Sequence, residues 1–472
     1  MNNRPRFVRW IFVVVLALSP IVVRADEPMR RPNVLFLYSD DQRADTIGAL
    51  GNAHVRTPTL DALTKRGTTL TRAYCMGSDQ GAVCIPSRAM LLTGRGLFQV
   101  KNNMEGQETW PQAFAKAGYD TFVIGKWHNG PPSLLKAFQG GEAIFFGGMG
   151  DPYNLPIQDL SPDHEFINKR VSGEHSAKVF ADAAAKFIKG RDGSKPFLCY
   201  VAFNVPHDPR VSPPEYRSRY EDSKIPLPAN YLPEHPFRNG EMVNRDERLA
   251  PWPRTPEVVR EHLADYYATI EYLDAQVGRI LEALRESGQL DNTLIAYAGD
   301  HGLAIGSHGL FGKQSLYEHS MRAPVILAGP GVPADKRIDA LTYLFDLFPT
   351  LGDLADVAGP EGSDGLSLVP VLQGREATRR DALFTSYAKV QRAVRDDRWK
   401  LIVYPKINKV QLFDLKNDPD ELRDLSADPS RADEVARLTA LLREQQAEAG
   451  DDLPLTTDDP EPEAFDFSRV KS

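Results

Sequence analysis

The sequence predicts an α/β protein, with a mostly parallel buried sheet flanked by helices and a small α+β unit at the C-terminal end. Three observations carry this. Continuous apolar runs of strand length, such as Val34–Tyr38 and Phe197–Phe203, mark strands covered on both faces. They alternate with segments of helical periodicity, the order expected when helices pack on a parallel sheet. Beyond about residue 375 the pattern changes to clustered short strands followed by one helix. A chain of 472 residues accommodates one large domain and a smaller one.

The first 25 residues read as a secretory signal peptide: Arg4, Arg6 and Arg9, then the apolar run Trp10–Val23, then a small-residue cleavage site at Ala25. That run is shorter than the ~20 residues of a membrane span and contains Pro20. No later stretch is apolar enough to span, so none is expected after cleavage, and the protein is expected to be exported, periplasmic or secreted. A net charge of −8 argues against nucleic acid or a membrane surface as partner. The three cysteines, Cys75, Cys84 and Cys199, are too few for a disulfide framework. An odd count in an exported protein gives one of them another task.

The elements follow in order. Asn33–Tyr38 is a strand ending at Asp40 and Asp41, and ligand sites of α/β sheets gather beyond strand carboxyl ends. Thr57–Arg66 is a short helix begun by Pro58. In Gly81–Arg95, Cys84, Pro86, Ser87 and Arg88 open a helix that Ala89–Leu92 anchors in the core. A helix start offers free N–H groups and partial positive charge to an anion. Cys84 reads there either as a nucleophile or as a buried thiol behind a turn.

Trp110–Ala117 is a helix closed by Gly118, and Tyr119–Ile124 a strand leading to Lys126 and His128. Residues 130–172, rich in Gly, Pro and Asp, are expected to be an irregular insertion. Helix Ala177–Ile188 precedes strand Phe197–Phe203, which leads to His207 and Asp208. Residues 209–258 form a long functional surface loop. Glu261–Glu286 is the clearest helix, with Ile270, Leu273, Val277, Ile280 and Leu284 in helical spacing. Strand Thr293–Ala298 leads to Asp300 and His301, and strand Pro324–Gly329 and helix Ala340–Leu354 follow.

Ala382–Tyr387, Gln391–Arg395, Trp399–Pro405 and Lys409–Asp414 are the C-terminal strands, and Ala432–Gln446 their helix. The expected division is a signal peptide at 1–25, a catalytic domain at 26–375, an α+β subdomain at 376–450 and a solvated acidic tail at 451–472.

Four strand ends and the Cys84 helix start would converge on one cleft. Asp40, Asp41 and Asp300 are hard oxygen ligands for Ca²⁺ or Mg²⁺, and His301 could complete their shell. Arg88, Lys126, Lys313, His128 and His207 would surround the metal, an excess of cations suited to sulfate or phosphate.

The motifs resemble those of the type I, formylglycine-dependent sulfatases. Cys84-x-Pro86-Ser87-Arg88-x-x-x-Leu92-Thr93-Gly94-Arg95 is similar to the first signature of that family, and Gly118-Tyr119-x-Thr121-x-x-Ile124-Gly125-Lys126-Trp127-His128 to the second. The resemblance runs from about Asn33 to Ser426 and implies an alkaline-phosphatase-like sandwich with a large mixed, mostly parallel sheet.

The resemblance further implies that a separate maturation enzyme oxidises Cys84 to Cα-formylglycine. One hydroxyl of its hydrate attacks sulfur beside Ca²⁺ (Mg²⁺ is the alternative) held by Asp40, Asp41, Cys84, Asp300 and His301. His207 or Lys313 protonates the leaving alcohol, His128 takes the proton of the second hydroxyl as sulfate leaves, and Arg88 and Lys126 stabilise charge. His301 stands where many members carry Asn.

The implied substrate is a sulfated small molecule or glycan, with O-sulfate on a carbohydrate as the leading reading. Asp208, Arg210, His308 and Arg322 are candidates for binding it, on loops 98–108, 130–172, 209–258 and 303–322. A phosphate or phosphonate monoester hydrolase of the same superfold and a choline-sulfatase-like enzyme are the alternatives.

Overall fold

The computed structural model describes residues 31–470 together with Met1, Asn2 and Val8. Apart from those three positions, the expected leader at 1–25 lies outside the described residues. An 11-stranded mixed sheet organises the chain. From one edge its strands are Lys336–Ile338, Gly67–Tyr74, Arg322–Ala328, Thr293–Gly299, Asn33–Ser39, Phe197–Ala202, Asp120–Lys126, Gly140–Phe145, Pro156–Leu160 and Phe166–Val171, with Thr342–Tyr343 also pairing with Gly67–Tyr74. The block from Thr293–Gly299 to Gly140–Phe145 is parallel throughout, and strands flanking it are antiparallel.

The apolar runs have the expected cause. Val34, Phe36 and Tyr38 join a core on one face with the Cys84–Thr93, Trp110–Lys116 and Leu347–Ala355 helices. Leu35 and Leu37 join the opposite core with Pro58–Arg66, Ser176–Lys189 and Pro256–Glu286. With both faces covered, every residue of Asn33–Ser39 is buried and no polar alternation is possible. The long helix begins earlier than its apolar spacing shows: Pro256 occupies its first turn and the Thr255 hydroxyl accepts from the Val258 N–H.

Two readings are corrected here, and one strand was missed. Residues 130–172 are not irregular: helix Pro131–Ala137 and three strands extend the sheet. Glycines that resemble loop residues are there for close packing, since a Cβ on Gly141 would lie 2.6 Å from the Val123 carbonyl oxygen. The helix expected at Ala340–Leu354 starts only at Leu347, because Thr342–Tyr343 is drawn into the sheet and Asp346 accepts from the Tyr343 N–H. Strand Gly67–Tyr74, Thr-rich and without alternation, was not legible as a strand.

A second sheet runs Lys409–Asp414, Trp399–Tyr404, Gln391–Arg395, Leu383–Tyr387 and Gly77–Ser78. Its last strand comes from beside Cys84 and pairs in parallel with Leu383–Tyr387, which ties the C-terminal unit to the site. The tail is docked rather than solvated. Asp451 is buried against Arg392, the Glu461 N–H donates to the Lys406 carbonyl (2.8 Å), and the Glu463 carboxylate pairs with Lys409 (2.7 Å). Basic side chains hold these acids to the body of the molecule. Among the described residues no helix is long and apolar enough to cross a membrane.

Candidate active site

The central strands stop in register. Ser39 pairs with Gly299, Tyr38 with Ala202, and Ala202 with Gly125. The residues after them therefore emerge along one edge of the sheet. Asp300 extends the pattern by donating its N–H to the Ser39 carbonyl (3.1 Å), and Asp40 donates to the Val205 carbonyl (3.1 Å). Asp41 turns into the left-handed region (φ 62°) and donates its N–H to Asp300 Oδ1 at 2.9 Å.

Carboxylate oxygens of Asp40, Asp41 and Asp300 gather within 4.8 Å of one another. Cations enclose them. Lys126 Nζ bonds Asp40 Oδ2, Lys313 Nζ reaches both oxygens of Asp41 (2.8 and 2.9 Å), and Arg88 Nη2 lies 3.3 Å from Asp300 and 3.5 Å from Asp40. Arg88 also stacks over the Tyr38 ring at 5.0 Å. All six charged groups are buried.

The charges are not equivalent. Burial works against ionisation of Asp40, yet Lys126, His207 and Arg88 hold its carboxyl well below the usual range. Asp41 is lowered in the same way, with burial outweighed by His207, Lys313 and His301. Asp300 moves in the opposite direction: burial and the charge of Asp40 raise it well above an ordinary carboxyl. A site that leaves one of three adjacent carboxyls so raised is short of positive charge.

Two orphaned atoms point the same way. Asp40 Oδ1 and His301 Nε2 are buried and make no hydrogen bond. His301 Nδ1 donates to the Gly302 carbonyl (3.0 Å), which leaves the Nε2 lone pair free to bind a cation. Cys84, Asp300 and His301 also offer ligand atoms within 4.8 Å. Carboxylate oxygens with one imidazole nitrogen fit a hard divalent cation.

Cys84 is the first residue of helix Cys84–Thr93, whose C-terminus closes on Gly94 in the left-handed region (φ 70°). Its Sγ lies 3.3 Å from His128 Nδ1 and 3.7 Å from Lys126 Nζ. Burial would raise the thiol, but Lys126 and Lys313 lower it overall. Burial and the Lys126 charge push His128 down to about 3, so its imidazole is neutral. Gly148 closes over that ring, and a Cβ there would sit 2.5 Å from His128 Nε2. His207 donates from Nδ1 to the Asp208 carbonyl (2.9 Å) and turns Nε2 toward Asp41 (3.6 Å). Cys75 and Cys199 are buried free thiols, both raised by burial.

Above this floor lies a cavity of about 310 Å³, lined by Cys84, His128, His207 and Lys313 together with Met149, Asn244, Arg245, Asp246 and Gln314. Ten expected residues are thus brought together: Asp40, Asp41, Cys84, Arg88, Lys126, His128, His207, Asp300, His301 and Lys313. The four candidates for substrate binding fare differently. Asp208 adjoins the cavity and binds Arg245 through both carboxylate oxygens (2.5 and 3.0 Å). Arg210 turns inward onto His262 Nδ1 (3.3 Å) and the Tyr266 ring. His308 stacks on Tyr317 at 4.0 Å and donates to the Glu421 carbonyl. Arg322 lines a separate cavity with Arg72 and Arg395. Proximity in sequence misled for these last three, because the chain after each strand end turns back into the protein. Asn244, Arg245, Asp246, Gln314 and Met149 were missed, although loops 130–172, 209–258 and 303–322 contain them; a polar run such as Asn244–Glu247 reads like any solvated stretch.

A helix-borne nucleophile position, an acid cluster that fits a cation, and basic groups converging on one small cavity define a hydrolase of compact anionic esters. The chain belongs to the sulfatase family, whose model matches residues 32–357, and an N-sulphoglucosamine sulphohydrolase C-terminal model matches residues 306–448. It is an enzyme that hydrolyses sulfate esters. It is 27% identical to an N-acetylglucosamine-6-O-sulfatase of Bacteroides thetaiotaomicron, over 94% of this chain and 91% of that one. It is 29% identical to an arylsulfatase of Clostridium perfringens, over 84% and 90%. A structure solved in complex with its substrate D-glucosamine-2-N,6-O-disulfate superposes with a TM-score of 0.75 at 25% identity, over 90% of this chain and 99% of that one.

Proposed function

We propose that this sulfatase removes O-sulfate from a sulfated carbohydrate, with Cys84 converted to Cα-formylglycine and Ca²⁺ held by Asp40, Asp41, Asp300 and His301. The observation that carries the reading is Cys84 Sγ at a helix start, 3.3 Å from a neutral His128 and 3.7 Å from Lys126, beside the three-carboxylate cluster. The similarity to an N-acetylglucosamine-6-O-sulfatase supports a sugar substrate. Burial of Cys84, Pro86 and Ser87 supports oxidation by a maturation enzyme before folding is complete. The basic and apolar start of the sequence supports export.

When bound, the cation supplies Lewis acidity, and the hydrated formylglycine supplies one hydroxyl to attack sulfur and a second whose deprotonation releases sulfate. The chain's own groups do the rest. His128 Nδ1 is a neutral acceptor at the nucleophile position and takes a proton there. Lys126 and Arg88, held on Asp40 and Asp300, stabilise negative charge at the floor. His207 or Lys313, both facing Asp41 and lining the cavity, protonates the departing alcohol.

Two measurements test this. Mass spectrometry of the Cys84 peptide, from protein made with a maturation system, is expected to show the aldehyde or its hydrate. Rates on nitrophenyl sulfate and a sulfated-sugar panel are expected to exceed those on nitrophenyl phosphate and phenylphosphonate. An unmodified thiol in active protein, or a higher kcat/KM on the phosphorus esters, overturns the reading.

A further inference from the structure

Beside the cavity a buried ion pair takes no part in the steps above. Glu247 and Arg254 have only 4% and 0% of their side chains exposed, and Arg254 Nη2 lies 2.7 Å from Glu247 Oε2. The same Nη2 donates to the Glu247 carbonyl (2.7 Å), and the guanidinium stacks over the Trp252 and Phe311 rings at 3.9 and 5.0 Å. So held, the Glu247 carboxylate turns to the chain just before Lys313. It accepts the Gly312 N–H at 2.8 Å and the Phe311 N–H at 3.0 Å. Hydrogen bonds to an ionised carboxylate are stronger than those between neutral groups.

The gripped segment has no other frame. Between strand Thr293–Gly299 and helix Glu318–Met321 the chain forms neither helix nor strand, yet Phe311 and Lys313 are buried. Buried N–H groups must be paired, and here side chains do it. Gln314 Oε1 accepts the Lys313 N–H (2.9 Å), and Gln314 Nε2 donates to Asp246 Oδ2 (2.7 Å). Gly312 lets the two segments touch, since a Cβ there would lie 2.3 Å from Gln314 Oε1 and 2.8 Å from Asp246 Cβ. Lys313 is thus fixed at both ends, its backbone through Gly312 on Glu247 and its Nζ on Asp41.

Resting on the reading above, we infer that Glu247, held by Arg254, is a positioning residue that sets the backbone of Lys313 so that Nζ reaches Asp41 and the reacting ester. A buried ion pair commonly adds little net stability over an apolar pair of the same volume, so what this one supplies is direction. The lysine stem is long and flexible, and a misplacement of about 1 Å can cost ~10²-fold in rate.

The test is a set of double-mutant cycles on mature enzyme, read as kcat/KM for nitrophenyl sulfate, with melting curves to show that each protein is folded. Glu247→Leu, which removes the acceptor, is expected to lower kcat/KM by about 10–100-fold. Glu247→Gln keeps an acceptor oxygen for Phe311 and Gly312 and is expected to recover most of that loss. Gly312→Ala parts the two segments without altering either charged group and is expected to act in the same sense as Glu247→Leu. In a Lys313→Ala background all three are expected to change kcat/KM by less than about twofold, because the group they position is gone. Losses of undiminished size in that background, or a Glu247→Leu enzyme as active as wild type, overturn this inference alone. No turnover of any sulfate by wild-type protein shown to carry the modification overturns the reading on which it rests.

Discussion

The floor of the cavity and the Asp208–Arg245–Asp246 cluster beside it are both charged, yet they are built in opposite ways. At the floor, residues leave parallel strands that stop in register, and each lysine or arginine lies against a carboxylate with almost no exposure. In the outer cluster, Arg245 and Asp246 come from the long segment between strand Phe197–Ala202 and helix Pro256–Glu286, and Arg245 is half open to solvent. Strand ends fix atoms that must meet a reacting group within tenths of an ångström. A loop can change its exposed side chains without disturbing that geometry. The difference teaches that the floor and the outer charged cluster are built by separate parts of the chain, one from strand ends and one from a long connecting segment.

The largest expected effect breaks the floor outright. Cys84→Ala is expected to reduce turnover of nitrophenyl sulfate by about 10⁴-fold or more, with a circular-dichroism spectrum and melting curve close to wild type. Substantial residual activity would mean that another group attacks sulfur.

His128→Ala is expected to cost ~10²–10⁴-fold in kcat, the range for loss of a positioned base. Because burial and Lys126 hold the imidazole down to about 3, it stays neutral from pH 5 to 8. His128 therefore contributes no acid limb to the pH–rate profile in that window. A limb near pH 6.5 that vanishes in His128→Ala protein would contradict the assignment.

Stability separates the two regions further. Arg88→Ala takes from buried Asp300 its guanidinium partner, while Asp40 keeps Lys126, and is expected to cost about 3–5 kcal/mol in denaturant unfolding. Removal of metal by a chelator is expected to lower the melting temperature, and restored Ca²⁺ to recover it. At about 100 times Kd the bound ion is worth roughly 2.7 kcal/mol. No change in melting on chelation would argue against a cation on Asp40, Asp41, Asp300 and His301. The smaller effect belongs to the outer cluster: Arg245→Ala is expected to cost less than Arg88→Ala, because Arg245 itself is 44% exposed and water reaches the gap it leaves. A loss as large as that of Arg88→Ala would erase the distinction.

Much of the floor was legible in the sequence, and the reason is local. Apolar runs that end in Asp40-Asp41, Lys126, His207 and Asp300-His301 place chemistry at strand ends, and parallel strands put those ends on one edge. The run from Cys84 to Leu92 gave both a reactive group and the apolar anchor of its helix, every residue of which past Ile85 is buried. Where a reading failed, a distant partner decided. Gly140 and Gly141 form a strand because Asp120–Lys126 lies against them. The acidic tail docks because Arg392, Lys406 and Lys409 await it.

The sequence alone therefore determined the α/β plan, the family and the residues that gather at the cavity floor, since these rest on patterns repeated within a few positions of each other. Only the tertiary structure decided which charges pair, which carboxyl is raised, and which loop residues reach the cavity. Arg245 meets Asp208 across 37 positions and Lys313 meets Asp41 across 272. Such contacts are set by packing and by the exclusion of water, and neither is written in local spacing.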